Sequence, residues 1–335
     1  MADDDLIIEA AGREVRISNP EKLYFPAAAA TKADLARYYV EVEDAFLGAA
    51  GGRPAMMQRF PDGALGKSFY QKRVPAGSPE WVRTVEVSTP NGTVSNALVL
   101  ADIAHVLWAV NLGCLGFHLW PTHADAPDVA DELRIDLDPQ PGVTLDQVRE
   151  AALVTRDTLA EVGIAAYPKT SGSRGFHIYA LLEPVWDPIQ VRAAAVALAR
   201  ELERRRPDLV TAAWWKEERG QRVFVDFNQN APHKTVFGAW SVRPRTGGQV
   251  SCPITWDEVP GVVPDDLTLR TVPDRLRQGG DAWVPMRLSP QSLGPLLEMA
   301  AADHARGLRD APWPPVYPKM PDEPPRVAPS RARKE

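Results

Sequence analysis

Apolar residues recur every three or four positions in three segments of the chain. These segments cover residues 31–48, 144–163 and 187–206, and the spacing predicts three amphipathic helices. Each begins at a residue whose short polar side chain can cap free backbone amides. These capping residues are Thr31, Thr144 and Asp187.

Shorter apolar stretches between these helices predict strands. Residues 133–138 and 222–227 alternate apolar and polar side chains, and residues 164–169 and 175–182 flank a turn rich in serine and glycine. Helices and strands therefore alternate along this part of the chain, as they do in mixed α/β proteins. The pattern predicts an α+β fold class in which helices pack on a mixed sheet.

The composition is that of a large soluble protein. The chain has 335 residues, 44% hydrophobic and 24% charged, a length that suits two domains or one large one. Its 2 cysteines, Cys114 and Cys252, exclude a disulfide scaffold and a multi-cysteine zinc site. The first residues show no signal-peptide pattern, and the longest apolar stretch, residues 104–120, is interrupted by polar residues and glycine. We therefore expect a cytoplasmic protein without a membrane partner.

Charge and proline content change this picture at two places. The net charge of -6 argues against a basic coat for nucleic acid, yet residues 216–245 contain six Lys or Arg against three acids, which suits a local polyanion groove. Residues 301–335 are rich in proline and end in a basic stretch, a composition that does not fold alone. We expect residues 1–300 to form the folded domain and residues 301–335 to be a disordered tail.

Two carboxylates two residues apart are the sharpest chemical feature. Asp136 and Asp138 lie in the predicted strand 133–138, so both side chains project from the same face of a sheet. Carboxylates that close repel each other unless a cation or a proton lies between them, and hard divalent cations prefer oxygen ligands. The spacing therefore indicates a metal site, with two solvated acids at a strand end as the alternative.

A third acid strengthens the metal interpretation. Asp226 is a lone acid among valine and phenylalanine residues, and an unpaired buried carboxylate costs several kcal/mol. If its strand lies beside that of Asp136 and Asp138, the cluster suits two ions about 3.5–4 Å apart, the geometry of phosphoryl transfer. Pairing of Asp226 with Arg222 or Arg243 is the alternative.

The serine- and glycine-rich turn within residues 169–177 adds a candidate anion site. Its glycines and serines expose backbone amides, Arg174 adds positive charge, and His177 begins the next strand. Such a turn would suit a triphosphate that faces the carboxylates. A plain hairpin turn is the alternative, because glycine and serine favour turns in any case.

Together these motifs resemble the polymerase domain of bacterial DNA ligase D, within the archaeo-eukaryotic primase superfamily. The resemblance extends over residues 17–260. Its motifs are Asn19-Pro20 with Lys22, Thr31-Lys32, 59–63 (RFPDG), 69–72 (FYQK), 116–118 (GFH), 136–139 (DLDP), 171–177 (SGSRGFH) and 226–234 (DFNQNAPHK), followed by Arg243. Phe117 departs from the family pattern, which often has glutamate before this histidine.

The resemblance implies a fold and a role for each motif. The fold would be a primase-polymerase catalytic domain, with an RRM-like sheet carrying the metal-binding carboxylates and a packed N-terminal α/β module. The catalytic carboxylates, which would bind two Mn²⁺ or Mg²⁺ ions, are Asp136, Asp138 and Asp226. The residues implied to bind the incoming nucleotide are His118, Ser171, Arg174, His177, Lys234 and Arg243. Asn19, Lys22 and Lys32 would bind a DNA 5′-phosphate, while Phe69 and Tyr70 would stack on the template.

The implied activity is template-dependent nucleotidyl transfer. Such an enzyme adds nucleotides from NTP or dNTP, preferring ribonucleotides, to primer 3′ ends in short gaps or breaks with a 5′-phosphate. The implied partners are DNA ends and gaps, Ku and a separate DNA ligase, because the chain contains no Lys-x-Asp-Gly adenylation motif. The resemblance leaves end joining and gap filling in excision repair both open, and we expect a monomer associated with the nucleoid.

Two other functions compete with polymerisation. A Mn²⁺-dependent glycosyltransferase would use Asp136 and Asp138 on a nucleotide-sugar, but it leaves Asp226 and the turn at 171–177 unexplained. A non-catalytic module that binds DNA ends would keep the basic groove without turnover. The complete set of three acids argues against this second alternative.

Overall fold

A computed structural model describes residues 5–89, 92–321 and 323–326 of the chain. In this part the strands are β1 (Leu6–Ala10), β2 (Arg13–Ile17), β3 (Leu23–Phe25), β4 (Ala30–Thr31), β5 (Pro54–Arg59), β6 (Phe69–Gln71), β7 (Thr84–Ser88), β8 (Val94–Val99), β9 (Cys114–Leu119), β10 (Thr122–His123), β11 (Ala126–Ala130), β12 (Glu132–Pro139), β13 (Tyr167–Thr170), β14 (Phe176–Leu181), β15 (Val210–Thr211), β16 (Val223–Val225) and β17 (Val236–Phe237). The α-helices are α1 (Lys32–Glu41), α2 (Glu43–Ala50), α3 (Ile103–Asn111), α4 (Leu145–Glu161), α5 (Pro188–Arg205), α6 (Lys216–Arg219), α7 (Val272–Gly279), α8 (Val284–Arg287) and α9 (Gly294–Ala305). Short 3-10 helices cover Pro26–Ala28, Phe227–Asn230, Trp256–Glu258 and Pro264–Asp266.

Two larger sheets organise these elements. One has five strands in the order β13-β14-β12-β16-β15, antiparallel except for the pair β15 and β16. The other has six strands in the order β17-β9-β5-β8-β7, with β6 paired to β5. One large hydrophobic core runs through residues of both sheets and of the helices packed on them. The chain thus has the α+β fold class that its sequence predicts.

The helix predictions are confirmed at their starts. Thr31, Thr144 and Asp187 each cap a helix through a reciprocal capping box, in which side chain and backbone bond to the residue three positions on. The first predicted helix differs, because Val42 leaves the helical conformation (φ -105°, ψ 15°) and separates α1 from α2. In the described residues, no helix is long and apolar enough to cross a membrane.

The predicted strands occur, with one difference that matters for the site. The segment 133–138 lies within β12, at the centre of the five-stranded sheet between β14 and β16. The segment 222–227 is shorter than predicted, because β16 ends at Val225. Asp226 instead caps the following 3-10 helix by accepting a bond from the Asn228 amide. This third acid therefore stands at a strand end and not inside a strand.

The C-terminal residues differ from the disordered tail that their composition predicts. Helix α9 continues to Ala305, and Trp313 and Tyr317 beyond it are buried. These aromatic side chains find apolar surface on the rest of the domain, which a prediction from the segment's own composition could not include. The basic residues Arg331, Arg333 and Lys334 lie outside the described residues.

Candidate active site

The carboxylates of Asp136 and Asp138 project from the central strand of the five-stranded sheet. Leu133, Ile135 and Leu137 alternate with them and are fully buried in the core, as the predicted alternation requires. The Asp136 side chain is 23% exposed. Asp138 is exposed, and its Oδ2 accepts a hydrogen bond of 3.3 Å from Gln140 Nε2.

Asp226 lies next to Asp136 because β16 pairs with β12. The backbone amide of Asp226 donates to the Asp136 carbonyl oxygen at 2.9 Å. Its carboxylate accepts bonds from the Asn228 amide (3.1 Å) and from Gln229 Nε2 (2.8 Å). The arginines considered as alternative partners bond elsewhere: Arg222 donates to backbone carbonyl oxygens and Arg243 to that of Ser171.

The three carboxylates interact electrostatically. Burial, followed by the charges of Asp226 and Asp138, raises the pKa of Asp136 to about 7. Burial also raises the pKa of Asp226, while Lys234, Gln229 and Arg219 act in the opposite direction. A cation among these carboxylates would relieve the repulsion that resists their ionisation.

The oxygen-only donor set suits a hard divalent cation in kind. Among the residues that the structure describes, however, no three His, Cys, Asp or Glu side chains are arranged around a single metal position. Joint coordination of one ion by Asp136, Asp138 and Asp226 therefore requires that at least one of these side chains reorients.

The predicted anion-binding turn is closed by its own serine. Ser171 Oγ accepts hydrogen bonds from the amides of Ser173 (3.2 Å) and Gly175 (3.1 Å). Gly172 has φ +70°, and a Cβ added there would lie 2.7 Å from Cγ of Arg243. Arg243 Nε in turn donates to the Ser171 carbonyl oxygen at 2.6 Å. The turn and Arg243 therefore form one packed unit.

Arg174 lies apart from this unit. Its side chain is exposed and, with Ser173, borders a cavity formed by Pro139, Val143 and residues near Pro264. The structure therefore does not bring Arg174 into contact with the carboxylates, although the sequence prediction groups them. A change in the turn or a bound polyanion would be needed to do so.

A buried lysine that the sequence analysis missed connects the turn to the carboxylates. Lys169 is fully buried, and its Nζ lies 2.9 Å from His177 Nδ1, 2.5 Å from Ser251 Oγ and 3.1 Å from the Phe237 carbonyl oxygen. His177 Nε2 lies 3.4 Å from Asp136 Oδ1. A lysine inside a short apolar strand is the sequence signal that could have identified it.

Aromatic rings surround His118 and Arg243. The His118 ring makes edge contacts with Tyr70 and Phe237, at centroid distances of 5.3 and 5.1 Å, and Arg243 stacks on Phe237 at 3.7 Å. Burial, with the nearby positive charges of Arg243 and Lys169, lowers the pKa of His118 to about 3. His118 is therefore neutral at ordinary pH, so one of its ring nitrogens donates a hydrogen bond and the other accepts one.

Two further cations flank Asp226. Lys234 is half-buried, and its charge opposes the raised pKa of Asp226. Arg219, which the sequence analysis did not select, stacks on Phe224 at 3.5 Å and interacts electrostatically with Asp226 and Asp138. These two cations therefore add positive charge near Asp226.

The residues predicted to bind a DNA 5′-phosphate meet at the turn before α1. Lys32 is 4% exposed, and its Nζ donates to the Ser18 carbonyl oxygen (2.8 Å), to Ser18 Oγ (3.3 Å) and to Asn111 Oδ1 (2.9 Å). Burial and then the charge of Lys22 lower the pKa of Lys32 to about 8. Lys22 is more exposed and pairs with Asp62 at 2.7 Å, and Asn19 has φ +49°.

The two aromatic residues predicted to stack on a template are exposed on β6. Phe69 and Tyr70 are 46% and 56% exposed. Arg59 lies over the Phe69 ring at 5.0 Å, and Gln58 Nε2 donates to the Tyr70 hydroxyl at 3.2 Å. Because Gln58 Oε1 also lies 3.3 Å from His118 Nε2, Tyr70 is linked to the ring cluster beside Arg243.

Residues 31–283 match the family described as LigD, primase-polymerase domain. The chain belongs to this LigD primase-polymerase family. The match covers the three carboxylates, the turn, His118 and Arg243. Asn19 and Lys22 lie before the matched residues, and the buried C-terminal residues lie after them.

Individual relatives of the LigD family agree with this assignment. The chain is 33% identical over 283 residues to the multifunctional non-homologous end joining DNA repair protein LigD of Mycobacterium tuberculosis, covering 81% of this chain and 37% of that protein. The corresponding Pseudomonas aeruginosa protein is 30% identical over 279 residues, covering 82% and 33%. The chain thus spans about a third of the length of these relatives.

A solved structure shows the shared fold. The polymerase domain from Mycobacterium tuberculosis ligase D in complex with DNA superimposes with a TM-score of 0.77 and 32% identity, covering 83% of this chain and 99% of that one. The predicted primase-polymerase fold is therefore confirmed.

Proposed function

We propose that this protein is a template-dependent nucleotidyltransferase that extends primer 3′ ends in DNA gaps and breaks during repair. The observation that carries the proposal is the placement of Asp136 on β12 and of Asp226 just after the adjacent strand β16, beside the Ser171 turn and Arg243. A nucleoside triphosphate with its divalent cations needs carboxylates for the cations and positive groups for the phosphates, and both kinds of group lie together here. The relatives agree with this chemistry, since one is named a non-homologous end joining DNA repair protein and another is a polymerase domain in complex with DNA.

The carboxylates are proposed to hold the divalent cations. Asp136, Asp138 and Asp226 would bind two Mn²⁺ or Mg²⁺ ions after reorientation of at least one side chain. Such ions, when bound, lower the pKa of a primer hydroxyl and neutralise charge on the pyrophosphate leaving group. In their absence the raised pKa of Asp136 leaves part of the cluster protonated near pH 7.

The remaining site residues are proposed to hold the nucleotide. Ser171, His177, Lys234 and Arg243 would bind the triphosphate, and neutral His118 would bind sugar or phosphate oxygen. Arg174 would join them only if the turn moves. Base selection would come from pairing with the template, and the ribose 2′-hydroxyl would lie near the cluster of His118 and Phe237, consistent with a preference for ribonucleotides.

The N-terminal turn and β6 are proposed to contact DNA. Lys22 would exchange its exposed pair with Asp62 for a 5′-phosphate, and Asn19 would offer backbone and amide donors. Lys32, whose three donors are already used, would add charge from beneath the turn. Phe69 and Tyr70 would stack on template bases. From the family's role alone, we propose Ku and a separate ligase as partners. On the same basis we propose a monomer that is cytoplasmic and associated with the nucleoid.

Primer extension on a gapped duplex tests this function. The unmodified chain, supplied with Mn²⁺ and NTP or dNTP, should extend the primer by template-matched nucleotides. Asp136→Asn and Asp226→Asn should each lower the extension rate by about 10²-fold or more, because a charge in the reaction centre is lost while the shape is kept. Asp146→Asn, at a side chain that is 85% exposed, is the matched control and should leave the rate unchanged.

Two results would contradict the proposal. One is the absence of any extension by the unmodified chain with either nucleotide and either metal ion. The other is unchanged extension by both site variants.

The same assay with a hydroxyl in place of the gap's 5′-phosphate tests the N-terminal pocket, since equal rates on both substrates would remove Asn19, Lys22 and Lys32 from the DNA contact. The glycosyltransferase alternative is not favoured by the LigD family.

A further inference from the structure

The C-terminal segment, defined as residues 309–321 and 323–326, packs against the loop that carries two of the proposed site residues. We call residues 226–234 the Asp226 loop, because it begins at Asp226 and ends at Lys234. The segment lies beyond the family match, which ends at residue 283. It makes hydrogen bonds to the loop and to α5, the helix that packs against the loop.

Arg192 of α5 is the centre of this contact. Its guanidinium is 1% exposed and donates to Asn228 Oδ1 of the Asp226 loop at 2.7 Å. The same guanidinium donates to Asp310 Oδ1 (2.9 Å) and the Ala311 carbonyl oxygen (2.8 Å) of the C-terminal segment. The Trp313 ring covers it at 3.9 Å. One buried charge therefore binds both elements at once.

The segment also contacts the loop directly at three successive places. Asn228 Nδ2 donates to the Pro312 carbonyl oxygen at 3.0 Å. Ala231 is fully buried in a cluster with Trp313 and Tyr317. The Tyr317 hydroxyl donates to the Pro232 carbonyl oxygen. Every one of these contacts lies between Asp226 and Lys234.

A second buried charge closes the segment on itself. Glu323 is 2% exposed and accepts hydrogen bonds from the amides of Trp313 (2.8 Å) and Met320 (3.1 Å) and from Arg326 Nε (2.5 Å). Although burial acts to raise it, these donors lower the pKa of Glu323 to about 2. The hydrogen bonds of the Glu323 carboxylate therefore hold the C-terminal segment in the conformation that contacts the loop.

We propose that the C-terminal segment positions the Asp226 loop, and that Arg192, Trp313 and Tyr317 are positioning residues for the reaction. Asn228 connects the segment to Asp226. Its side chain bonds to Arg192 and Pro312, while its backbone amide donates to the Asp226 carboxylate. Displacement of Asn228 would release this carboxylate. Positions of reacting groups matter at the level of 1 Å, so a released loop should slow catalysis without loss of the fold.

This inference rests on the proposed function, and variants of the full chain test it. Trp313→Leu removes the ring that covers Arg192, and Tyr317→Phe removes one hydroxyl and keeps the ring. Val316→Ala, at a neighbouring side chain that is 64% exposed, is the matched control. Three quantities are measured for each variant: kcat/KM for the nucleotide in gap extension, the Kd for gapped DNA, and amide hydrogen exchange of the Asp226 loop.

We expect Trp313→Leu to lower kcat/KM by about tenfold or more with an unchanged Kd for DNA. The amides of Gln229, Ala231 and Lys234, which bond within the loop, should exchange faster in the same variant. Tyr317→Phe should show the same pattern with a smaller change, and Val316→Ala should match the unmodified chain.

Three outcomes would overturn the inference. They are unchanged exchange of the loop in Trp313→Leu, faster exchange with unchanged kcat/KM, and a parallel loss of DNA affinity and kcat/KM that indicates general damage. If Trp313→Leu does not fold, Tyr317→Phe decides by the same criteria. An inactive unmodified chain would count against the proposed function, whereas the exchange measurement would still test the hold of the segment on the loop.

Discussion

Lys169 decides which nitrogen of His177 carries its proton. The Lys169 Nζ has three neighbours within bonding distance, Ser251 Oγ, the Phe237 carbonyl oxygen and His177 Nδ1. An ammonium group donates to all three, which makes His177 Nδ1 an acceptor and leaves the proton on Nε2. A neutral amine, which burial favours by lowering the pKa of Lys169 well below its usual value, would instead accept from Nδ1–H. Asp136 Oδ1, 3.4 Å from His177 Nε2, favours the first arrangement because a carboxylate attracts the positive end of the Nε2–H group.

We therefore predict that His177 is the Nε2–H tautomer and that Lys169→Met weakens this preference, because only the contact with Asp136 then favours it. The ¹⁵N chemical shifts of the imidazole nitrogens report the tautomer directly. His105 is an internal reference with the opposite state, since its Nδ1 lies 2.7 Å from Asp102 Oδ1 and its Nε2 accepts from the Arg83 amide at 3.0 Å. Finding His177 with its proton on Nδ1 in the unmodified chain would show that Lys169 does not act in this way.

Individual residues also mark where sequence reasoning reached its limit. Asp136 and Asp138 could be grouped from the sequence because residues two apart in a strand project from the same face. Lys32 was identifiable as a candidate, but its burial and its bonds to Ser18 and Asn111 were not, because Asn111 is 79 residues away in the chain. Arg174 was grouped with the turn by proximity in sequence, although its side chain leaves the turn on the exposed side.

At the scale of elements, the absence of a side chain at Gly116 lets the Phe237 ring pack directly against β9. It lies in β9 opposite Gln58 of β5, and a Cβ there would meet the Phe237 ring and lie 2.8 Å from the Val242 carbonyl oxygen. Phe237 supports Arg243 and His118, so this absence of a side chain shapes the proposed nucleotide site.

We predict that Gly116→Ala lowers the free energy of unfolding by about 1–3 kcal/mol, the usual effect of overpacking. It should also reduce nucleotide affinity, because the displaced ring moves Arg243. Urea unfolding and the KM for the nucleotide measure the two effects. Gly261→Ala is the control, since a Cβ at Gly261 meets nothing within 4 Å. A Gly116→Ala chain as stable as the control would contradict the packing argument.

Element starts were predictable and some ends were not. Capping residues act through bonds to neighbours three positions away, so Thr31, Thr144 and Asp187 announce their helices locally. The end of β16 and the packing of the C-terminal segment depend on contacts with distant residues such as Arg192, and no local pattern encodes those. The same reason explains why composition suggested disorder for a segment whose aromatic residues are buried.

At the scale of the whole molecule, buried charges join the two large sheets. Arg53, in the turn before β5, is 3% exposed and donates to both oxygens of Asp131, at 2.7 and 2.8 Å. Its Nη2 also lies 3.1 Å from Glu132 Oε1 at the start of β12. Glu132 Oε2 accepts from Arg134, which donates in turn to the carbonyl oxygens of Leu119 and Trp120 at the end of β9. The six-stranded and five-stranded sheets are therefore linked by one bonded network.

We predict that Arg53→Met lowers the free energy of unfolding by about 3–5 kcal/mol, because it leaves the buried Asp131 and Glu132 without their shared cation. Glu132→Gln should cost less, since Arg53 then keeps Asp131 and the amide oxygen can still accept from Arg134. Arg37→Met, at a side chain that is 58% exposed, is the control and should change stability little. Chemical unfolding of the three variants gives the order directly. Equal stability of Arg53→Met and Arg37→Met would show that the contact between the sheets depends on the hydrophobic core alone.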